Sequence, residues 1–168
     1  MFLDETGTAT NMAPHYGWGP SHERVIMRAP HGSWTSTTFV AGLTESGIVA
    51  PMVMHGAMNA AVFETWVEQM LIPVLPDRAI VVMDNLSSHK GKRVRELLES
   101  AGAEALYLPP YSPDLNPIEQ VFAKLKHLLR SARRETSETL WDEIGQLLER
   151  FGPDECANYL RHAGYRCN

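Results

Sequence analysis

Residues 79–119 have the sequence AIVVMDNLSSHKGKRVRELLESAGAEALYLPPYSPDLNPIE, and the order of patterns within this stretch predicts the fold. A short apolar, β-branched run at 79–83 indicates a buried strand. The run ends at Asp84, so this carboxylate lies at the carboxyl end of a strand, where open α/β sheets place their chemistry. Helical periodicity predicts a helix at about 90–100, and a second strand follows at 105–108.

A proline-rich turn at residues 109–117 leads into the next predicted helix. Pro117 suits the first turn of that helix, with Asn116 as its predicted N-cap, and Glu119 follows just inside it. The prolines restrict the backbone, and a preorganised site needs its groups held in this way. Thirty-four residues separate Asp84 from Glu119.

A third acid, Asp4, belongs to the opening FLDE and is predicted to end a first strand that is truncated at Met1. Carboxylate oxygens are the ligands that Mg²⁺ prefers, and paired ions promote phosphoryl transfer. We therefore predict that Asp4, Asp84 and Glu119 converge on one metal site. The alternative is that each acid is an ordinary turn or helix-start residue.

The remaining patterns complete a mixed α/β order. Residues 34–43 and 48–55 flank a Glu-Ser-Gly turn and predict an antiparallel hairpin. Amphipathic periodicity predicts helices at 59–71, at 136–150 and, after a Gly-Pro break, at about 154–161. This order indicates a five-stranded mixed sheet with helices on both faces and extra helices at the C-terminal end.

Length and composition limit the class of protein. A chain of 168 residues is the length of one domain and buries a sizeable core. It contains no apolar run long enough to cross a membrane and no signal-peptide pattern, so we expect no membrane partner. Cys156 and Cys167 form no paired framework, which favours a reduced, cytoplasmic setting.

The net charge of −5 is unevenly distributed. Residues 86–134 carry nine basic and five acidic residues, a net of +4, whereas both flanking segments are net negative. Positive charge around the predicted acid site suits a phosphate backbone, although a solvated helical face is the alternative. At 100° per residue, three cations follow the direction of Glu119 along its helix. The predicted DNA contacts are Lys90, Lys92, Arg93, Lys126, Arg130 and Arg133.

Three blocks, FLDE, MDNLSSHK and LPPYSPDLNPIEQ, carry a family resemblance. They resemble the DDE superfamily endonucleases and, more narrowly, the mariner-like transposases of bacterial insertion sequences, which share the 34-residue gap. The resemblance implies an RNase H-like fold, two Mg²⁺ ions with Mn²⁺ as a substitute, and cleavage and transfer of DNA strands. It implies catalytic, metal-binding roles for Asp4, Asp84 and Glu119, and motif positions for Asn85, His89 and Asn116.

The resemblance also sets expectations for domain organisation and partners. Relatives carry helix-turn-helix modules ahead of FLDE, so we expect residues 1–168 to be a single catalytic domain without the N-terminal DNA-binding domain. A truncated gene, a mis-set start and a frameshifted product all remain open as its origin. The expected partners are transposon-end and target DNA and a second transposase chain, identical or not. Two other functions stay open: a catalytically silent remnant that binds DNA or a partner, and a purely hydrolytic RNase H-like nuclease.

Overall fold

A computed structural model describes residues 1–26 and 34–166. Its strands are β1 (Phe2–Ala9), β2 (Ser36–Thr44), β3 (Gly47–His55), β4 (Ile80–Met83) and β5 (Glu104–Tyr107). They form one sheet in the order β3-β2-β1-β4-β5. The pairs β1–β2 and β2–β3 are antiparallel, whereas β1–β4 and β4–β5 are parallel. The predicted hairpin and five-stranded mixed sheet are therefore confirmed.

The described residues form the α-helices α1 (Ala60–Trp66), α2 (Lys92–Ser100), α3 (Ile118–Ala132), α4 (Ser137–Leu148) and α5 (Pro153–His162). Asn59 caps α1 as its sequence suggests, because its side chain accepts a hydrogen bond from the Val62 backbone N–H at 3.0 Å. After α1 the chain continues through a π-helical turn, Val67–Leu71, and a short 3₁₀ turn, Ile72–Val74.

Helices cover both faces of the sheet, which places one core on each side. On one face the buried side chains of α3, α4 and α5 pack against Phe2, Phe39 and Leu43. On the other, those of α1 and α2 pack against Leu3 and Val40. Each large apolar side chain buried in this way stabilises the fold by about 1.5–3 kcal/mol.

Alternation along β1 sends its two acids to opposite faces of the sheet. Phe2 belongs to the core beneath α3, and Leu3 belongs to the core beneath α1 and α2. Because successive side chains of a strand point to opposite sides, Asp4 faces α3 and Glu5 faces α1 and α2.

β1 does not end at Asp4, so this prediction is wrong. Asp4 is the third of eight strand residues and pairs with Ala41 of β2. The polar residues after Asp4 lack the apolar pattern of a strand, but they remain in the ladder because their hydroxyls find partners. Thr8 donates its hydroxyl hydrogen to the Thr37 carbonyl at 3.3 Å.

Two features bear on the setting of the protein. Across residues 1–26 and 34–166, no helix combines the length and apolar character required to span a membrane. Cys156 is a buried free thiol, and Cys167 lies outside the described residues.

Candidate active site

A cavity of about 360 Å³ opens where β1, β4, the turn after β5 and the start of α3 meet. The three predicted acids, Asp4, Asp84 and Glu119, all line this cavity. The other lining residues are Asn85, Leu86, Leu108, Pro109, Pro110, Tyr111, Ser112, Pro113 and Asn116. The structure thus brings together three acids that are far apart in the chain: 79 residues lie between Asp4 and Asp84, and 34 lie between Asp84 and Glu119.

Strand register explains why Asp4 and Asp84 are neighbours. The parallel pairing of β1 and β4 sets Leu3 beside Met83, so the next residue of each strand is an aspartate. The pairing stops at this point: β4 ends, while β1 continues along β2. The cavity therefore opens at the carboxyl end of β4, as predicted for Asp84, but partway along β1.

Asn116 positions the buried carboxylate of Asp4. The Asn116 Nδ2 atom donates a hydrogen bond to Asp4 Oδ2 at 2.8 Å, and the Glu5 backbone N–H donates to Oδ1 at 2.8 Å. Asn116 is not the N-cap of α3, so that prediction is wrong, because Pro117 occupies the cap position without a side-chain bond. A charge-assisted hydrogen bond to a buried carboxylate is stronger than a neutral cap.

The oxygen of the Asn116 side-chain amide is unpaired within the described residues. This atom, Oδ1, is buried and has no hydrogen-bond partner among the residues that the structure describes. Buried polar atoms in folded proteins are almost always paired, so the unpaired oxygen beside Asp4 is a candidate contact for a bound group.

Burial raises the pKa of Asp4 to about 7, against the lowering effect of the Glu5 backbone hydrogen bond. The nearby charges of Asp84, Glu119 and Glu5 make smaller contributions to the same rise. Without a cation, the neighbouring carboxylates of this cavity therefore disfavour the ionised form of Asp4.

His89 links the cavity to the other face of the sheet. Its side chain is fully buried; Nε2 lies 2.7 Å from Glu5 Oε2, and Nδ1 lies 2.7 Å from Asp84 Oδ1. Within residues 1–26 and 34–166, Nδ1 has no hydrogen bond of good geometry, so the contact with Asp84 is chiefly charge pairing. Phe63 covers the imidazole, with 4.3 Å between ring centroids.

The charges of this group favour an ionised pair. Burial opposes the charge on His89, yet the contacts with Asp84 and Glu5 raise its pKa to about 9. Partial burial would raise the pKa of Asp84, but His89 and the Leu86 backbone N–H outweigh it and hold the pKa below its usual value. Glu5 is not among the site residues predicted from the sequence. Its position directly after Asp4 in FLDE is the one sequence feature that could have indicated it.

Glu119 is exposed in the first turn of α3. The turn before this helix is contacted by a residue from the C-terminal end of the chain. Tyr165 donates its hydroxyl hydrogen to the Leu115 carbonyl at 2.8 Å, and its ring packs on Phe2 at 4.4 Å. Tyr165 therefore ties the turn to β1 near Asp4. No local sequence pattern marks this role, because the contacts span 50 residues or more.

The donor atoms of the cavity fit a divalent cation in kind. Three carboxylates and an unpaired amide oxygen are hard ligands. The raised pKa of Asp4 reflects burial first and then the neighbouring acids, and a bound cation would favour the ionised form against both. In the described part of the chain, no three acidic, histidine or cysteine side chains are close enough to hold an ion as they stand. Binding of an ion by these three acids would therefore require their side chains to move closer together.

The predicted DNA-contacting cations do not form one group. Lys92 lies 3.2 Å from Glu96, and Arg93 lies 3.3 Å from Glu68, so both have acidic neighbours within the chain. Lys90 is exposed in the segment before α2. Lys126 and Arg130 lie half-buried along α3 on the side of Glu119.

Arg133 does not continue the line of cations along α3. The helix ends at Ala132, and Arg133 adopts a left-handed backbone conformation with φ of 49°. The prediction for Arg133 assumed continuous helical geometry and is wrong in that respect.

The sequence profile of the DDE superfamily endonuclease family matches residues 1–141 of the chain. In a search of curated protein sequences, nothing matches.

Several solved structures share the fold. The crystal structure of a pre-cleavage Mos1 transpososome aligns with a TM-score of 0.80 and 20% identity, covering 96% of this chain and 52% of that chain. The mariner Mos1 paired-end complex with Mg aligns with a TM-score of 0.78 and 20% identity, covering 96% and 51%. The Mos1 transposase catalytic domain with Raltegravir and Mg aligns at 0.69 and 23% identity, covering 77% and 70%.

These likenesses confirm the predicted RNase H-like fold. At such identities they establish architecture alone. The chain spans about half the length of the transposase chains in the two complexes.

Proposed function

This chain belongs to the DDE superfamily endonuclease family, and from that premise we propose that it is the catalytic domain of a mariner-like transposase. The proposed reaction is divalent-metal-dependent cleavage of a DNA strand, followed by attack of the freed 3′-hydroxyl on target DNA. One observation carries the proposal: Asp4, Asp84 and Glu119, brought from three separate elements, line a single cavity. We propose that residues 1–168 are a single catalytic domain.

The proposed metal ligands are Asp4, Asp84 and Glu119, with two Mg²⁺ ions, or Mn²⁺ in their place. When bound, such ions supply Lewis-acid activation and neutralise charge on the phosphate. The chain's own residues set the geometry: Asn116 fixes Asp4, and His89 fixes Asp84 through charge pairing. These supports resemble the outer partners that orient ligands in other metal sites.

The proposed partners are transposon-end DNA, target DNA and a second transposase chain. The similarity to Mos1 complexes that contain paired transposon ends supports this proposal. Lys126 and Arg130 lie on the Glu119 side of α3, where they would contact a phosphate backbone that leads into the cavity.

The experiment that tests the function separates three outcomes. The 168-residue chain is incubated with Mg²⁺, supercoiled plasmid and a labelled oligonucleotide duplex with a free 3′-hydroxyl end. We expect nicked plasmid together with labelled plasmid from strand joining. Nicking without joining would identify a hydrolytic nuclease, and the absence of both would identify a silent remnant.

Metal binding should be visible without catalysis. Each Mg²⁺ ion at about 100 times its dissociation constant should stabilise the folded chain by about 2.7 kcal/mol, because it binds only the assembled site. Glu119→Gln should abolish most of this stabilisation with little change in the metal-free melting temperature, since Glu119 is exposed. The measurement is a thermal melt with and without Mg²⁺.

Asp114→Asn is the matched control for the metal experiment. Asp114 lies five positions before Glu119, is also exposed and does not line the cavity. It should keep the full response to Mg²⁺. An equal Mg²⁺ shift in the Glu119→Gln protein would exclude Glu119 as a ligand.

Non-specific DNA binding should depend on the α3 cations. The double variant Lys126→Ala, Arg130→Ala should bind random duplex more weakly. The negative slope of log K against log[salt] should become smaller in magnitude by about 2, because two phosphate contacts are lost. Fluorescence anisotropy across a salt series measures both quantities.

A control for this experiment removes two positive charges elsewhere. Arg134 pairs with Glu143, and Arg161 donates a hydrogen bond to Asn158. The variant Arg134→Ala, Arg161→Ala also loses two positive charges and therefore has the same net charge as the test variant. If both double variants lose equal affinity, net charge rather than the α3 face governs binding.

A further inference from the structure

The turn between β5 and α3 holds Tyr111 in an unfavourable conformation. Its φ is 56°, in the left-handed region that bulky residues rarely adopt. Its side chain is fully exposed, so burial within the chain does not compensate for the strained backbone. Strain of this kind persists where the surrounding structure enforces it, and it concentrates at functional sites.

The surroundings of Tyr111 enforce its position. Pro109 and Pro110 precede it and Pro113 follows, which limits the freedom of the turn. The turn is anchored at both ends: the Leu108 N–H donates to the Met83 carbonyl at 2.8 Å, and Asn116 bonds to Asp4. Tyr111 is therefore presented to solvent on a short, fixed support.

Tyr111 also lines the same cavity as the acids. One part of the cavity lining is carboxylate, from Asp4, Asp84 and Glu119, and another is the apolar surface of the prolines and the tyrosine ring. A nucleotide matches both parts of this lining. Its phosphate can bind metal ions held by the acids, and its base can stack on an aromatic ring. A volume of about 360 Å³ is within the range of small-ligand sites.

We propose that Tyr111 stacks against an unpaired nucleobase next to the phosphate held at the acids, and so positions the DNA strand. This inference rests on the proposed function. The base must be unpaired and out of the helical stack, because bases inside a duplex have both faces covered by their neighbours. The Tyr111 ring is fully exposed and no described side chain covers it, so it can offer its face to such a base.

Four substitutions of Tyr111 distinguish the effect of the aromatic ring from the effect of the strained backbone. Tyr111→Ala removes the ring, and Tyr111→Gly removes the ring and also relieves the left-handed strain. Tyr111→Phe and Tyr111→Trp keep an aromatic face. Tyr16→Ala is the matched control, because Tyr16 is similarly exposed but is not among the residues that line the cavity.

Two measurements test the proposal. The first is binding, in Mg²⁺, of a duplex with a single-stranded overhang whose first unpaired base is 2-aminopurine, with quenching of its fluorescence as the signature of stacking. The second is KM and kcat for nicking. Stacking of one base corresponds to a change of about 5- to 150-fold in affinity. We expect Ala and Gly to weaken binding by this factor and to lose quenching, while Phe, Trp and the Tyr16→Ala control retain both.

The results separate this proposal from the proposed function. If the wild-type chain nicks DNA and Tyr111→Ala matches it in quenching and affinity, the stacking proposal is overturned alone. Equal losses in Tyr16→Ala also overturn it. If the wild-type chain does not nick DNA but quenching depends on the Tyr111 ring, the stacking proposal holds and the proposed function fails.

Discussion

Asp84→Asn is expected to lower the rate of metal-dependent nicking by more than about 100-fold. Loss of a residue that only orients a metal ligand costs about 10- to 100-fold, and Asp84 is itself a proposed ligand. The substitution keeps the size of the side chain and removes the charge that a cation needs. Asp84 lines the cavity and its Oδ1 accepts the Leu86 N–H at 3.0 Å, a bond that the Asn side-chain oxygen can also accept. Nicking of supercoiled plasmid in Mg²⁺ measures the effect.

The same variant should also be less stable, because Asp84 is not simply one of several repelling acids. It is paired with the buried His89, and its pKa is held below the usual value. Circular dichroism and a thermal melt test whether the Asp84→Asn protein is folded at the assay temperature, and Asp114→Asn serves as the matched control. If the folded Asp84→Asn protein nicked DNA at the wild-type rate, Asp84 would be excluded as a catalytic metal ligand.

The parts of the site that could be predicted from sequence are those fixed by local patterns. The strand before Asp84 and the helix that carries Glu119 are visible as an apolar run and as helical periodicity. Strand register then brings Asp4 beside Asp84, once β1 and β4 are parallel neighbours.

The supporting contacts could not be predicted, because their partners are far away in the chain. Asn116 bonds to a carboxylate 112 positions earlier, and His89 contacts Glu5, 84 positions earlier. Locally, Asn before Pro indicates a helix cap, and only the buried carboxylate of Asp4 overrides that preference.

The cations show a second limit of local patterns. A helical projection places Arg133 in line with Glu119, but it contains no information about where α3 ends. It also cannot show that Lys92 and Arg93 have acidic neighbours, one of which, Glu68, lies in the π-helical turn after α1. The projection therefore indicated a line of three cations, whereas α3 presents two.

His89→Ala is expected to destabilise the metal-free chain by about 3–5 kcal/mol, the cost of removing one partner from a buried ion pair. For a chain of this size that corresponds to a fall of about 10 °C in melting temperature. The imidazole is fully buried and contacts both Asp84 and Glu5, so its loss leaves two acids without their cation and a void beneath Phe63. His127→Ala, at an exposed position of α3, is the control and should melt like the wild type.

A double-mutant cycle identifies the cause of this loss. If charge pairing dominates, Glu5→Gln should be destabilising in the wild type but nearly neutral or stabilising in the His89→Ala protein, because there it removes an unpaired, mostly buried charge. If the void dominates, Glu5→Gln should cost the same free energy of unfolding in both backgrounds. That additivity would assign His89 to packing and would leave Asp84 oriented by the Leu86 N–H alone.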